Sequence, residues 1–587
     1  MKFIKGLGVV LLLAVVSAFG AYFGRHELTR MQENLPPFTS AAGKTEQVWI
    51  EMQDGVRLFS SVALPEGEGP FPTVLIRNPY ARFATIMRET LCGRMVRYGY
   101  ACVLQDVRGQ GESEGEWSPM VNEVRDGKDT INWLVKQSFQ DGNIAMVGPS
   151  YLASVQYAVA ASGLPKEVKT LVPAVYTADL SNILYSNGMF RHETFTAWAS
   201  MMRDPKNEVD DAGGDYQKAI RHLPHFEVDT AVFGLSMPWY QDMINIERAN
   251  KSFFNTSDAL SIANVPETIN VPILMVSGWY DVFFGGQMAD WERLATRSSS
   301  RFVLGPWTHA GSTGKAFEIK NAQGGLFQWQ EMLPWLAHHL KGQPLMNPPG
   351  LYSFRMGENE WHFYEEWPGP TTAQIYKLNK LKDSAQCDGG ELSFEQDFIE
   401  PVSFRYNPLD PVPTRGGAGM LAFLLPGFDG AEPANVLQTG LCDRADVLSF
   451  QTPPLDSALL IKGKISVNIK VASSAPDTAF TAKLIEVFSD GRAVNIRDNI
   501  TSLVYREGGF NRLDYAPDEA INVNIDMWPI EWRLSAGSRI RLDISSSDFP
   551  KFHAHSNRIG PWAEQDSIEV ATQTLFGGTL KLPVSYR

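Results

Sequence analysis

One stretch limits what this chain can fold into more than any other: Asn143-Ile-Ala-Met-Val-Gly-Pro-Ser150-Tyr-Leu-Ala-Ser-Val-Gln-Tyr-Ala-Val-Ala-Ala161. Ile144 to Val147 is an apolar run of strand length. Gly148-Pro149-Ser150 makes a tight corner, and Leu152, Val155, Ala158 and Val159 follow at helical spacing. Strand, sharp turn with Ser at its tip, then helix is the context in which G-x-S marks an exposed nucleophile. The helix also aims its first N–H groups at any oxyanion formed there. The fifth position of G-x-S-x-G is Leu152, not Gly, so the stretch alone reads equally as a strand-to-helix turn with an incidental Ser.

The surrounding pattern supplies a sheet. Glu46 to Leu64 alternates polar and apolar residues around Asp54-Gly55, a hairpin signal. Thr73–Ile76, Ala101–Gln105 and Thr170–Val175 read as buried strands, with helical spacing over Asp126–Lys136. Strands alternating with helices predict a doubly wound α/β unit. From Ala178 to Asn264 sheet signals vanish and helices are expected at Thr194–Met202, Tyr216–His222 and Tyr240–Asn250, which form a cap over the site. Val271–Val276 and Arg301–Leu304 resume the sheet, and Gln328–Leu340 closes it as a helix. Beyond Gly350 short β runs dominate (Ala458–Ile461, Ile465–Val471, Ala482–Phe488, Ile521–Ile525, Ser538–Ile544), which predicts an all-β sandwich or jelly roll. The expected layout is a leader and linker over 1–44, an α/β unit over 45–177 and 265–370, the helical cap over 178–264 and a jelly roll over 371–587.

At 587 residues the chain is too long for one core. Its net charge of −14, with no basic cluster, excludes nucleic acid as an expected partner. Lys2 and Lys5 precede an uncharged run from Gly6 to Gly24, and Ala18-Phe-Gly20 offers a small-x-small cleavage site. A cleaved export signal and a single uncleaved membrane anchor both stay open; either puts the body outside the cytoplasm, in the periplasm or beyond it. Cys92, Cys102, Cys387 and Cys442 form no C-x-x-C, so no metal site is expected, and Cys387–Cys442 is the favoured disulfide. Monomer and homodimer stay open.

A Ser-His-Asp triad on an α/β sheet runs Ser, Asp, His along the chain, each after a strand. Ser150 follows Ile144–Val147, Asp281 follows Ile273–Val276 and His309 follows Phe302–Leu304. An imidazole must take the serine's proton, and a carboxylate must hold that imidazole in the right tautomer. Asp290, Glu292 and Glu318 compete with Asp281 on residue type but not on strand-end position. The loop after Thr73–Ile76 is Asn78-Pro-Tyr80, with no glycine run and one N–H removed by Pro79. The Tyr80 hydroxyl is therefore the expected oxyanion donor, beside the backbone N–H of Tyr151.

Arg77-Asn-Pro-Tyr80, Gln105-Asp-Val-Arg-Gly-Gln-Gly-Glu-Ser-Glu-Gly115, Gly148-Pro-Ser-Tyr-Leu-Ala153, Gly278-Trp-Tyr-Asp281, Gly305-Pro-Trp-Thr-His309 and Met356-Gly-Glu-Asn-Glu-Trp361 occur in this order. With Tyr406-Asn-Pro-Leu-Asp-Pro-Val-Pro413 and Leu542-Asp-Ile-Ser-Ser-Ser-Asp-Phe-Pro550, they resemble the cocaine esterase / X-prolyl dipeptidyl aminopeptidase family of serine hydrolases from about Val48 onward. The resemblance implies an α/β-hydrolase domain with an inserted helical cap and a C-terminal jelly roll. It implies Ser150, Asp281 and His309 as triad, Tyr80 and Tyr151 as oxyanion hole, and Phe283 in the acyl pocket. Asp106 and Arg108 are read as an ion-paired structural loop.

Two departures stand out: Ala153 where the family has Gly, and Val-Phe-Phe-Gly after Asp281, which lacks the acids that hold a substrate ammonium in α-amino acid ester hydrolases. The expected activity is hydrolysis of a small ester through an acyl-enzyme, with no cofactor. The alternatives are amide or X-Pro peptide cleavage and, outside catalysis, a jelly-roll binding protein with a relic hydrolase body.

Overall fold

The computed structural model describes residues 26–204, 209–246, 262–322, 325, 327–380, 387–395, 400–425, 427 and 431–586. The apolar run Gly6–Gly24 lies outside the described residues, as does the end of the helix expected over Tyr240–Asn250. Among the described residues no helix is long and apolar enough to cross a membrane.

The first half is built on one ten-stranded sheet. Its strands are β1 (Ala42–Glu51), β2 (Arg57–Pro65), β3 (Phe71–Asn78), β4 (Ala101–Asp106), β5 (Gln140–Pro149), β6 (Val168–Ala174), β7 (Leu274–Tyr280), β8 (Arg301–Thr308), β9 (Gly350–Arg355) and β10 (Glu360–Tyr364). They lie in the order β1-β2-β4-β3-β5-β6-β7-β8-β9-β10. Pairing is parallel from β4 through β9, and antiparallel at β1–β2, β2–β4 and β9–β10. Parallel strands must be covered on both faces. Accordingly β4, β7 and β8 are buried at every residue. Successive side chains divide between two cores: Ile144 and Met146 join the cluster that holds Tyr151 and Val155, whereas Ala145 and Val147 join the one under Trp335 and Leu336.

The covering helices are α1 (Glu123–Leu134), α2 (Tyr151–Ala161), α3 (His192–Met202), α4 (Phe284–Arg293) and α5 (Trp329–Lys341). The cap between β6 and β7 holds α3 and shorter helices at Ala212–Ala219 and Pro238–Ile244. The sequence reading of an all-helical cap is not met, because Tyr185–Ser186 pairs with Met189–Phe190. The turn between them is Asn187-Gly188, both at positive φ (45° and 82°), the dipeptide that suits a two-residue hairpin turn.

The C-terminal half is all β. Its ten strands form one sheet whose path runs from Ala493–Ser502 to Ile521–Leu534. Those end strands meet: Asn499 Nδ2 donates to the Asp526 carbonyl at 2.6 Å and Arg497 Nη2 to the Pro529 carbonyl at 2.8 Å. The expected jelly roll is thus a nearly closed sheet, wrapped on Val467, Leu484, Ile525 and Leu542. Both cysteine pairs are bonded, Cys92–Cys102 as well as Cys387–Cys442.

Candidate active site

Ser150 sits between β5 and α2 at φ 57°, ψ −129°. Positive φ is costly for a serine, and the corner is secured by its N–H bonding to the Ala174 carbonyl of β6 at 2.9 Å. Gly148 explains the missing fifth-position glycine. A Cβ at 148 would lie 2.4 Å from the Leu152 Cβ, so Leu152 occupies the space that a glycine elsewhere in the motif leaves open. Ala153 is wholly buried, and its N–H bonds to the Ser150 carbonyl at 2.8 Å.

β7 runs through Tyr280 and β8 through Thr308, four residues farther than the apolar runs suggest, so Asp281 and His309 directly follow their strands. Both are buried, and His309 Nδ1 bonds Asp281 Oδ2 at 2.6 Å. Asp281 Oδ1 accepts the Phe283 N–H at 2.8 Å, which fixes the carboxylate plane. His309 Nε2 is buried and makes no hydrogen bond among the described residues. The dyad therefore presents one unpaired nitrogen, the one a general base needs. Asp290, by contrast, is committed to Thr177, Ala178 N–H and Arg293.

The Tyr80 hydroxyl lies within hydrogen-bonding reach of the Ser150 hydroxyl, the Tyr151 backbone N–H and the Trp198 indole N–H. Burial pushes its pKa up, so it stays a neutral donor. Asn78 braces this tyrosine by accepting its N–H (3.1 Å) and donating to its carbonyl (3.0 Å). Behind the serine, the Tyr151 hydroxyl donates to Glu123 Oε1 at 2.9 Å and accepts the Met120 N–H at 3.0 Å. Glu123 in turn pairs with buried Arg77 at 2.8 Å.

Arg108 is ion-paired as expected, to Asp126 at 2.7 Å and Asp54 at 3.0 Å. Asp106 is not: its carboxylate accepts the Glu112 N–H at 3.3 Å, and burial raises its pKa to about 6.

Ser150, Tyr80 and Tyr151 line a cavity of about 340 Å³. Its lining includes Phe283, whose ring lies 4.9 Å from Tyr176 and 5.5 Å from His309. The cap contributes Phe195, Trp198 and Met201, and the C-terminal half Met420, Phe423 and Leu424. Phe423 packs edge-on to His309 at 5.2 Å. Trp198 and Phe423 went unforeseen, because no local pattern shows that a cap helix and a distant loop meet over Ser150. Such an arrangement can activate a serine hydroxyl and stabilise a carbonyl-derived oxyanion in an apolar setting.

Residues 54–311 match the X-Pro dipeptidyl-peptidase (S15 family) and residues 346–565 the X-Pro dipeptidyl-peptidase C-terminal non-catalytic domain. The cocaine esterase of Rhodococcus sp. (strain MB1 Bresler) is 32% identical over 554 residues, covering 89% of this chain and 94% of that one. Among solved structures, an α-amino acid ester hydrolase shares the fold with a TM-score of 0.79 at 22% identity, over 94% of this chain and 98% of its own. An aminopeptidase from the marine sediment archaeon Thaumarchaeota archaeon does so with 0.77 at 23% identity, over 92% and 96%. On this likeness the chain belongs to the cocaine esterase / X-Pro dipeptidyl-peptidase (S15) family of serine hydrolases.

Proposed function

We propose that the protein is a carboxylic-ester hydrolase acting through a Ser150 acyl-enzyme. The observation that carries the reading is the paired dyad His309–Asp281 at 2.6 Å, with a free Nε2, packed against Phe283 and Phe423, which line the same apolar cavity as Ser150 and Tyr80. Ser150 Oγ attacks the ester carbonyl as its proton passes to His309 Nε2. The Tyr80 hydroxyl and Tyr151 N–H take the oxyanion. Its collapse expels the alcohol, which leaves with the proton from His309. Water, deprotonated by the same nitrogen, then releases the acid. A fluorophosphonate probe tests this: the wild type should label and Ser150→Ala should not, and equal labelling rejects the mechanism.

X-Pro dipeptide release is the weaker reading, since no carboxylate among the described residues lines the cavity to hold a free amino terminus. Faster release from an X-Pro-anilide than from a p-nitrophenyl ester would reverse that order. The chain is also proposed to act outside the cytoplasm. The lysine-flanked apolar run and two cysteine pairs support this, and fractionation of cells expressing the full chain tests it.

A further inference from the structure

The wall of the candidate-site cavity carries a single charge among the described residues. Among the described residues that line it, Arg82 alone is ionised, and the remainder are apolar, aromatic or neutral hydroxyl side chains. Arg82 has poor company for a cation. One Nη2 hydrogen goes to the thioether sulfur of Met201 at 2.6 Å, a weak acceptor, and the other reaches the Leu424 carbonyl only at 3.3 Å. Its Nε is buried with no partner. The guanidinium lies 4.6 Å over the Phe83 ring, which fixes its plane. Burial lowers its pKa, and no acidic side chain among the described residues offsets this. A half-desolvated arginine without a counter-ion costs stability. An anion entering the cavity would relieve that cost with a planar, two-pronged contact.

Its position suits a specificity role. Arg82 stands two residues beyond Tyr80 in the same short turn, Ala81–Phe83, and its charge reaches the Tyr80 hydroxyl that touches Ser150. It also touches the cap through Met201 and the C-terminal half through Leu424.

We propose that the cavity selects esters carrying a carboxylate on a short apolar chain, such as monoesters of dicarboxylic acids, with Arg82 as the counter-ion that holds the substrate's free acid. This rests on the ester-hydrolase reading above. No acid among the described residues lines the cavity, so a substrate ammonium finds no partner among them, whereas a carboxylate finds Arg82.

The test is a matched set: monoethyl glutarate, neutral ethyl valerate and a trimethylammonium analogue, followed by acid release on wild type, Arg82→Gln and Arg82→Lys. Wild-type kcat/KM should rank anionic above neutral above cationic. Arg82→Gln should lower the anionic-to-neutral ratio by about 10- to 100-fold, with Arg82→Lys in between because it keeps charge but loses the fork. No anionic preference in the wild type overturns the proposal. So does an equal loss on all three esters, which would mean that Arg82 acts only through Tyr80.

Calorimetry with Ser150→Ala and uncleaved monoethyl glutarate separates this from the hydrolytic reading. Binding that Arg82→Gln abolishes, without turnover of any ester in the wild type, sinks the hydrolase mechanism and leaves the anion site. Binding indifferent to Arg82→Gln sinks the anion site.

Discussion

At the scale of single residues, the proposed mechanism makes Tyr80 the least replaceable group after Ser150, Asp281 and His309. Where such folds use a second backbone N–H for the oxyanion, Pro79 removes one here, and the proposed mechanism puts a phenol braced by Asn78 in its place. Tyr80→Phe keeps the ring against Phe83 and deletes only the donor. Its kcat should fall about 10²–10³-fold with KM little changed, which steady-state kinetics on a neutral ester will show. The strand-end placement of Ser150, Asp281 and His309 was legible because each follows an apolar run of one parallel sheet. Arg82, Trp198 and Phe423 were not, since their juxtaposition is made by packing between segments far apart in sequence.

At the scale of elements, helix α3 carries the most consequence. Trp198 reaches the Tyr80 hydroxyl from its middle, while its N-terminal end docks on the C-terminal half. The Glu193 N–H bonds to the Pro550 carbonyl at 2.9 Å, and Glu193 Oε1 accepts the Met420 and Leu421 N–H groups at 3.1 and 2.9 Å. His192 beside it is buried and neutral: Nε2 bonds to the Ile220 carbonyl at 3.1 Å and Nδ1 to Thr196 Oγ1 at 3.0 Å. Burial lowers its pKa from 6.5 to about 4. Above pH 6.5 neither the folded nor the unfolded imidazole is charged. As pH falls toward 4 the unfolded chain binds a proton that the native site refuses, so stability drains away, by on the order of 3 kcal/mol from this group. Burial pushes His225 and His553, which pack with His192 around Trp562, in the same direction. Urea unfolding at pH 7 and pH 5 should show this loss, and His192→Gln should lessen it, with His225 and His553 supplying the remainder. The sequence places this helix correctly to within two residues, as its 3.6-residue spacing allows. The cap hairpin escaped because two-residue strands leave no alternation to detect; only Asn187-Gly188 marked it.

At the scale of the whole molecule, the two halves share a seam. Arg497, in the C-terminal sheet, is buried and donates to the Trp279 carbonyl of β7 as well as to Pro529. Its guanidinium lies over Trp279, Tyr280 and Phe284, the residues that flank Asp281. Arg497→Met removes the guanidinium donors to both carbonyls, at about 1–3 kcal/mol each. Melting temperature and kcat should therefore fall together, and an unchanged kcat would show that the seam does not bear on the site.

The bond between Arg497 and Trp279 also has a meaning in time. A ribosome makes β7 more than two hundred residues before it makes Arg497, and Pro550, which secures α3, comes later still. Until the last strands emerge, the strand leading to Asp281 and the helix bearing Trp198 lack their anchors. On the proposed mechanism, the nascent chain thus carries Ser150, Asp281 and His309 past the cell's own esters before these anchors exist, and the site is completed only when synthesis is nearly over.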